Sequence, residues 1–149
     1  MCGLTGFLET THNLTSSRKE SVMRQMSAAL SHRGPDDEGI WVDSTAGIAL
    51  GHRRLSIIDL SQHGHQPMHS ACGRYVMVYN GEIYNYLEIR KELQDSGITE
   101  GWHGNSDTEV MLAAISQWGL EKAITRFTGM FAFALWDKKY RNVCWIFYL

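Results

Sequence analysis

The sequence predicts an α+β fold of two mostly antiparallel sheets with helices packed outside them. Three observations support this. Short apolar runs and helical-period stretches come in mixed order along the chain. Several of the apolar runs are joined by hairpin-like connections, which antiparallel pairs permit and parallel pairs do not. The run from Met130 to Trp136 is apolar at every position, as expected of a strand covered on both faces.

Residues 3–8, GLTGFL, read as the first strand. Ser17-x-x-Glu20 is a capping-box pattern that opens a helix. Val22, Met26, Ala29 and Leu30 share one face of that helix and define its predicted buried side. Ser31-His32-Arg33-Gly34-Pro35-Asp36-Asp37-Glu38-Gly39 is a polar loop punctuated by Gly and Pro. Residues 40–42 and 48–50 read as paired strands. Leu55, Ile57, Ile58 and Leu60 form a further apolar run, followed by the polar residues 61–64.

Tyr75-Val76-Met77-Val78-Tyr79 is a strong strand signal, and it meets Asn80-Gly81, the best short pair for a two-residue hairpin turn. Asn85 is placed to cap a helix through Leu93, which Gly97 would end. Ser106-x-x-Glu109 is a second capping box. It opens a helix carrying Val110, Ala113, Ala114 and Trp118, with Gly119 as its stop. No internal repeat, low-complexity tract or linker interrupts the series.

Composition bounds the function. The chain has 149 residues, enough for about one domain. Apolar residues make up 44%, which argues against bulk disorder, and a net charge of −2 offers no basic footprint for nucleic acid. No apolar run approaches the ~18 residues of a membrane span, and the first residues lack a basic n-region and a long apolar core. The three cysteines, Cys2, Cys72 and Cys144, are odd in number and scattered, so a disulfide framework is not expected and a reducing cytoplasm fits best.

Several residues admit a chemical and a structural reading. Cys2 follows the initiator Met and precedes Gly3, so removal of Met1 would put a thiol and a free α-amine on one residue. Such an amine titrates near ~7.7–8.0 and can act as a base for its own thiol. Asn80-Gly81 is either a type I′ turn or a side-chain amide and a backbone N–H converging on an oxyanion. Arg53-Arg54 either pairs with Asp59, Asp107 or another carboxylate, or offers a bidentate fork to a substrate carboxylate. Asp107 beside Ser106 is either capping chemistry or a partner for a ligand amine. His63, His65 and His69 lack the helical spacing and the accompanying cysteines or carboxylates of a metal site, and none is expected. Cys72 reads as an ordinary thiol in a turn. Tyr75, Tyr79, Tyr84 and Tyr86 read as sheet packing. No phosphate-binding loop of the GxxxxGK[ST] type is present.

Taken in order, Met1-Cys2-Gly3-Leu4-Thr5-Gly6, Ser31-His32-Arg33-Gly34-Pro35-Asp36 and Gly51-His52-Arg53-Arg54-Leu55-Ser56-Ile57 begin a series of motifs. Tyr79-Asn80-Gly81-Glu82-Ile83-Tyr84-Asn85, Ser106-Asp107-Thr108-Glu109 and Gly129-Met130-Phe131-Ala132-Phe133-Ala134 complete it. Together they resemble the N-terminal glutaminase domain of glutamine-hydrolysing asparagine synthetases. That domain is a class II glutamine amidotransferase of the N-terminal-nucleophile hydrolases. The resemblance spans roughly residues 1–137 and implies a four-layer αββα sandwich.

It also implies roles. Cys2 would be the mature N-terminus and attack the side-chain amide of glutamine, its α-amine serving as base and later protonating the leaving ammonia. Asn80 and Gly81 match the oxyanion hole. Arg54 matches the holder of the glutamine α-carboxylate, and Asp107, helped by Glu82, the holder of the α-amine. A thioester on Cys2 would form and water would release glutamate.

After Asp137 the sequence departs from the family pattern and runs Lys138-Lys139-Tyr140-Arg141-Asn142-Val143-Cys144-Trp145-Ile146-Phe147-Tyr148-Leu149. The expectation is therefore a glutaminase domain over 1–149, truncated at its C-terminal end and without its synthetase domain. That missing domain, in cis or in trans, would make asparagine from aspartate with ATP and Mg, whereas the domain in hand is expected to need no cofactor. A homodimer is a further possibility. Two alternatives stand beside this reading: the ammonia serves another acceptor such as a sugar or carboxylate, or the chain is a non-catalytic relative.

Overall fold

Gly51 carries no side chain because a methionine needs the space. A Cβ there would lie 2.8 Å from Cε of Met23, so the bare glycine leaves room for Met23 of the first helix against the first sheet. A computed structural model describes residues 2–11, 13–55, 64–98 and 102–148. The predicted apolar run at 57–60, the Asp59 carboxylate, His63 and Met1 lie outside them.

The first sheet is antiparallel, with strand order β1-β3-β2. It comprises β1 (Gly3–Leu8), β2 (Asp37–Asp43) and β3 (Ile48–Arg54). Helix α1 (Ser16–Ala29) covers its outer face. The buried row of α1 is Lys19, Met23 and Ser27. Val22 and Met26 are half-buried and Ala29 is exposed, so the face differs from the predicted one. The reason is that the row contains a lysine. Its ammonium reaches the Glu9 carboxylate at 3.3 Å and the Ser44 carbonyl at 3.0 Å, which compensates its burial. Apolar periodicity cannot register such a residue. The cap is also displaced: the Thr15 hydroxyl accepts from the Arg18 N–H at 3.3 Å, and Glu20 pairs with Arg24 at 2.7 Å.

The second sheet runs β4-β5-β6-β7, again antiparallel. Its strands are β4 (Met68–His69), β5 (Tyr75–Ile83), β6 (Gly129–Asp137) and β7 (Asn142–Tyr148). Asn80-Gly81 is not a hairpin turn. Strand β5 runs straight through it, pairing Asn80 with Ala132 and Gly81 with Phe131. The ladder with β6 overrides the local turn preference. Glycine is still required: Gly81 has φ 152°, and a Cβ would lie 2.3 Å from the Met130 carbonyl oxygen.

Alternation along β5 and β6 accounts for their apolar character. Val76, Val78, Ala134 and Trp136 face the first sheet and meet Ile48 and Leu50. Tyr75, Met77, Tyr79, Phe131, Phe133 and Leu135 face the other way, into the core shared with the helices. Those are α2 (Tyr86–Asp95), α3 (Asp107–Trp118) and α4 (Leu120–Ile124). The layers are thus helix, sheet, sheet, helices, the αββα sandwich that the resemblance implies.

Capping departs from expectation in detail. Asn85 precedes α2 but makes no capping bond; its amide instead donates to the Arg126 carbonyl and accepts from the Thr128 N–H, both at 2.9 Å. Ser106 does cap α3 through the Thr108 N–H at 3.2 Å. Glu109 accepts from the backbone of His103 and Gly104 rather than closing the box. Strand β7 forms one edge of the second sheet, with Phe147 77% exposed.

Candidate active site

Antiparallel pairing of Gly3 with Arg53 brings the start of the chain to the end of β3. There the Leu55 N–H points at Sγ of Cys2 at 3.5 Å. The Cys2 nitrogen donates to Oδ1 of Asn80 at 2.9 Å, so this one residue bridges the two sheets. Met1 precedes Cys2 in the sequence, and that nitrogen is a peptide N–H; removal of Met1 would make the same atom an α-amine.

Cys2, Arg54, Asn80, Gly81, Glu82 and Asp107, predicted from four separate stretches of sequence, line one cavity of about 720 Å³. Asn80 spends its carbonyl on the Cys2 nitrogen, which leaves its NH₂ as the donor. The Tyr79 N–H and carbonyl are bonded to side chains off the β6 edge, and the two-residue alternation of the ladder puts the Gly81 N–H on that same edge. Arg54 reaches the cavity past Gly64, where a Cβ would lie 2.4 Å from a guanidinium nitrogen. Its neighbour Arg53 takes the structural role, paired with Glu38 at 3.1 Å and bonded to the Ser27 carbonyl. Asp107 opens α3, but its Oδ2 accepts from the Tyr79 hydroxyl at 2.6 Å and the Ile83 N–H at 3.0 Å.

Tyr79, His52 and Gln66 are the residues that sequence reasoning missed. Tyr79 is anchored at three points. Its N–H donates to Oε1 of Gln66 at 2.6 Å, its carbonyl accepts from Nε2 of His52 at 3.1 Å, and its hydroxyl holds Asp107. Gln66 and His52 thereby stand in for a neighbouring strand at the edge of β5, immediately before Asn80. In the sequence Tyr79 shows only a strand-like setting, which points to packing alone.

His52 is 2% exposed. Burial lowers its pKa from the ordinary 6.5 to about 4, against the opposing pull of its bond to the Tyr79 carbonyl. The imidazole is therefore neutral at pH 7. Because the unfolded chain takes up the proton first, this stability is complete above pH 6.5 and lost as pH falls toward 4, by at most about 3 kcal/mol. His52→Gln keeps a donor and removes the titration. The urea midpoint is expected to fall less between pH 7 and pH 5 in the variant than in the parent; parallel curves would refute the assignment.

Among the described residues no group of three or more His, Cys, Asp or Glu side chains is placed to hold a metal ion. His65 pairs with Asp37 at 2.7 Å, and Nδ1 of His69 lies 3.4 Å from the Lys138 ammonium. None of the described helices is long and apolar enough to cross a membrane.

An αββα sandwich with a cysteine thiol at position 2, set over a cavity with an amide, a guanidinium and carboxylates, fits the amidotransferase class. A family model described as a glutamine amidotransferase domain matches residues 1–146, so the match runs through β6 and into β7. The chain is 41% identical over 138 residues to asparagine synthetase [glutamine-hydrolyzing] 1 of Bacillus subtilis (strain 168), covering 93% of this chain and 21% of that protein. It is also 41% identical, over 158 residues, to a putative asparagine synthetase [glutamine-hydrolyzing] of Mycobacterium bovis, covering 96% of this chain and 23% of that one. Among solved structures, the glutamine phosphoribosylpyrophosphate amidotransferase from B. subtilis, complexed with ADP and GMP, has the same fold. It matches with a TM-score of 0.51 at 22% identity, over 62% of this chain and 21% of that chain. The chain belongs to the glutamine amidotransferase domain family. It spans 21% and 23% of the length of these two curated relatives.

Proposed function

We propose that this domain hydrolyses glutamine to glutamate and ammonia with Cys2 as nucleophile, and that the ammonia feeds asparagine synthesis from aspartate and ATP in a synthetase domain. The observation that carries this is the convergence of Cys2, Asn80, Arg54 and Asp107 on one cavity, with the Cys2 nitrogen 2.9 Å from Asn80.

Once Met1 is removed, the α-amine accepts the thiol proton and Sγ attacks the amide carbon of glutamine. The carbonyl oxygen gains charge as its bond to carbon becomes single, and the Asn80 amide and the Gly81 N–H stabilise it. Collapse expels ammonia, which takes the proton from the α-ammonium, and leaves a thioester on Cys2. Water, deprotonated by the same amine, attacks the thioester carbon; the thiolate leaves and recovers a proton, and glutamate is free. Glutamine carries a carboxylate and an ammonium at its other end. Arg54 binds the first, and Asp107 with Glu82 binds the second. Hydrolysis needs no cofactor of its own, and ATP and Mg belong to the synthetase step. A reducing cytoplasm suits the free thiol of Cys2.

The test is to incubate the purified protein with glutamine and measure glutamate release beside intact mass. Activity is expected to scale with the fraction of molecules lacking Met1. Full activity in material that retains Met1 would overturn the mechanism.

A further inference from the structure

Asp107 is held by two neutral donors. Its Oδ2 receives both the Tyr79 hydroxyl and the Ile83 N–H, so that oxygen is saturated and the carboxylate cannot turn without losing two bonds. Oδ1 makes no hydrogen bond among the described residues, while Asp107 lines the cavity. The tyrosine is itself anchored. It is 3% exposed, its ring lies in the core between the second sheet and the helices, and its backbone is pinned by Gln66 and His52.

We propose that the Tyr79 hydroxyl is a positioning group that sets the site's preference for substrates bearing an α-ammonium, by fixing the Asp107 carboxylate with one oxygen left for the ligand. The proposal rests on the glutaminase reading and assigns a residue to one half of substrate recognition. Burial, with the Asp107 charge beside it, holds the phenol far above its usual pKa, so the hydroxyl stays a donor throughout the working pH range. Tyr79 sits next to Asn80 in β5. One strand therefore supports both the oxyanion donors and the ammonium pocket.

Phenylalanine fills the same space and lacks only the hydroxyl, so Tyr79→Phe isolates the contact. The substrates are L-glutamine and glutaramate, the analogue without the α-amine, the latter followed as substrate or as competitive inhibitor. In the variant KM for glutamine is expected to rise about tenfold, the worth of a hydrogen bond to a charged group, with kcat little changed. The constants for glutaramate are expected to stay at parent values, so the preference for the α-ammonium falls by the same factor. Equal losses on both compounds would reveal a merely structural role and overturn the proposal, as would unchanged glutamine kinetics. Parent protein that releases no glutamate from glutamine would overturn the glutaminase reading and this proposal with it.

Discussion

Cys2→Ala is expected to abolish glutamine hydrolysis while leaving the fold intact. The thiol is the only nucleophile in the proposed sequence of steps, and neither Cys72 nor Cys144 lines the cavity. Loss of a nucleophile in enzymes of comparable logic costs roughly 10⁴–10⁶ in rate. The structural cost is small. Cys2 is only half-buried and precedes β1, and its sulfur meets the Leu55 backbone through weak contacts at 3.5 and 4.0 Å. The contact between the Cys2 nitrogen and Asn80 survives the substitution. Glutamate release and thermal unfolding should be measured on the same preparation. Release persisting at the parent rate would remove Cys2 from the mechanism, and a collapsed melting temperature would show that the residue is structural.

Much of the architecture was legible because it rests on local chemistry. Strands β5 and β6 are apolar throughout 75–79 and 130–136 because one face meets the first sheet and the other meets the helices. The Ser106 cap and the Gly119 stop of α3 were equally plain. The errors share a cause, which is tertiary pairing overriding a local preference. Asn80-Gly81 has the composition of a turn, yet the ladder with β6 carries the strand through it. The buried row of α1 includes Lys19, whose partners Glu9 and Ser44 lie ten and twenty-five residues away.

The site divides in the same way. Its six predicted residues were found through motifs, and the cavity brings them together. What motifs could not give is the support beneath them. Gln66, His52 and Asp107 converge on Tyr79 from thirteen, twenty-seven and twenty-eight residues away. Each of those contacts depends on how the two sheets and α3 are stacked, and no spacing along the chain encodes it.

Asn80→Ala is expected to lower kcat by about 10²–10³ and to change KM little, because the lost donor meets an oxygen whose charge grows only during attack. The geometry sharpens this. The Asn80 Oδ1 is committed to the Cys2 nitrogen at 2.9 Å, which fixes the amide so that its NH₂ is the end left to donate. Gly81 is held opposite Phe131 in the ladder with β6, so its N–H does not shift to replace the lost donor. Asn80→Ala also releases the Cys2 nitrogen, so a second variant separates the two roles. Asn80→Asp keeps an acceptor for that nitrogen but sets a carboxylate where the NH₂ was, opposite the developing negative charge. If oxyanion stabilisation dominates, the aspartate variant is at least as slow as the alanine variant. If orientation of the nitrogen dominates, the aspartate variant recovers much of the parent rate. Steady-state kcat and KM for glutamine decide between them. A rise in KM with kcat unchanged in both variants would show that Asn80 binds the ground state and takes no part in stabilising the oxyanion.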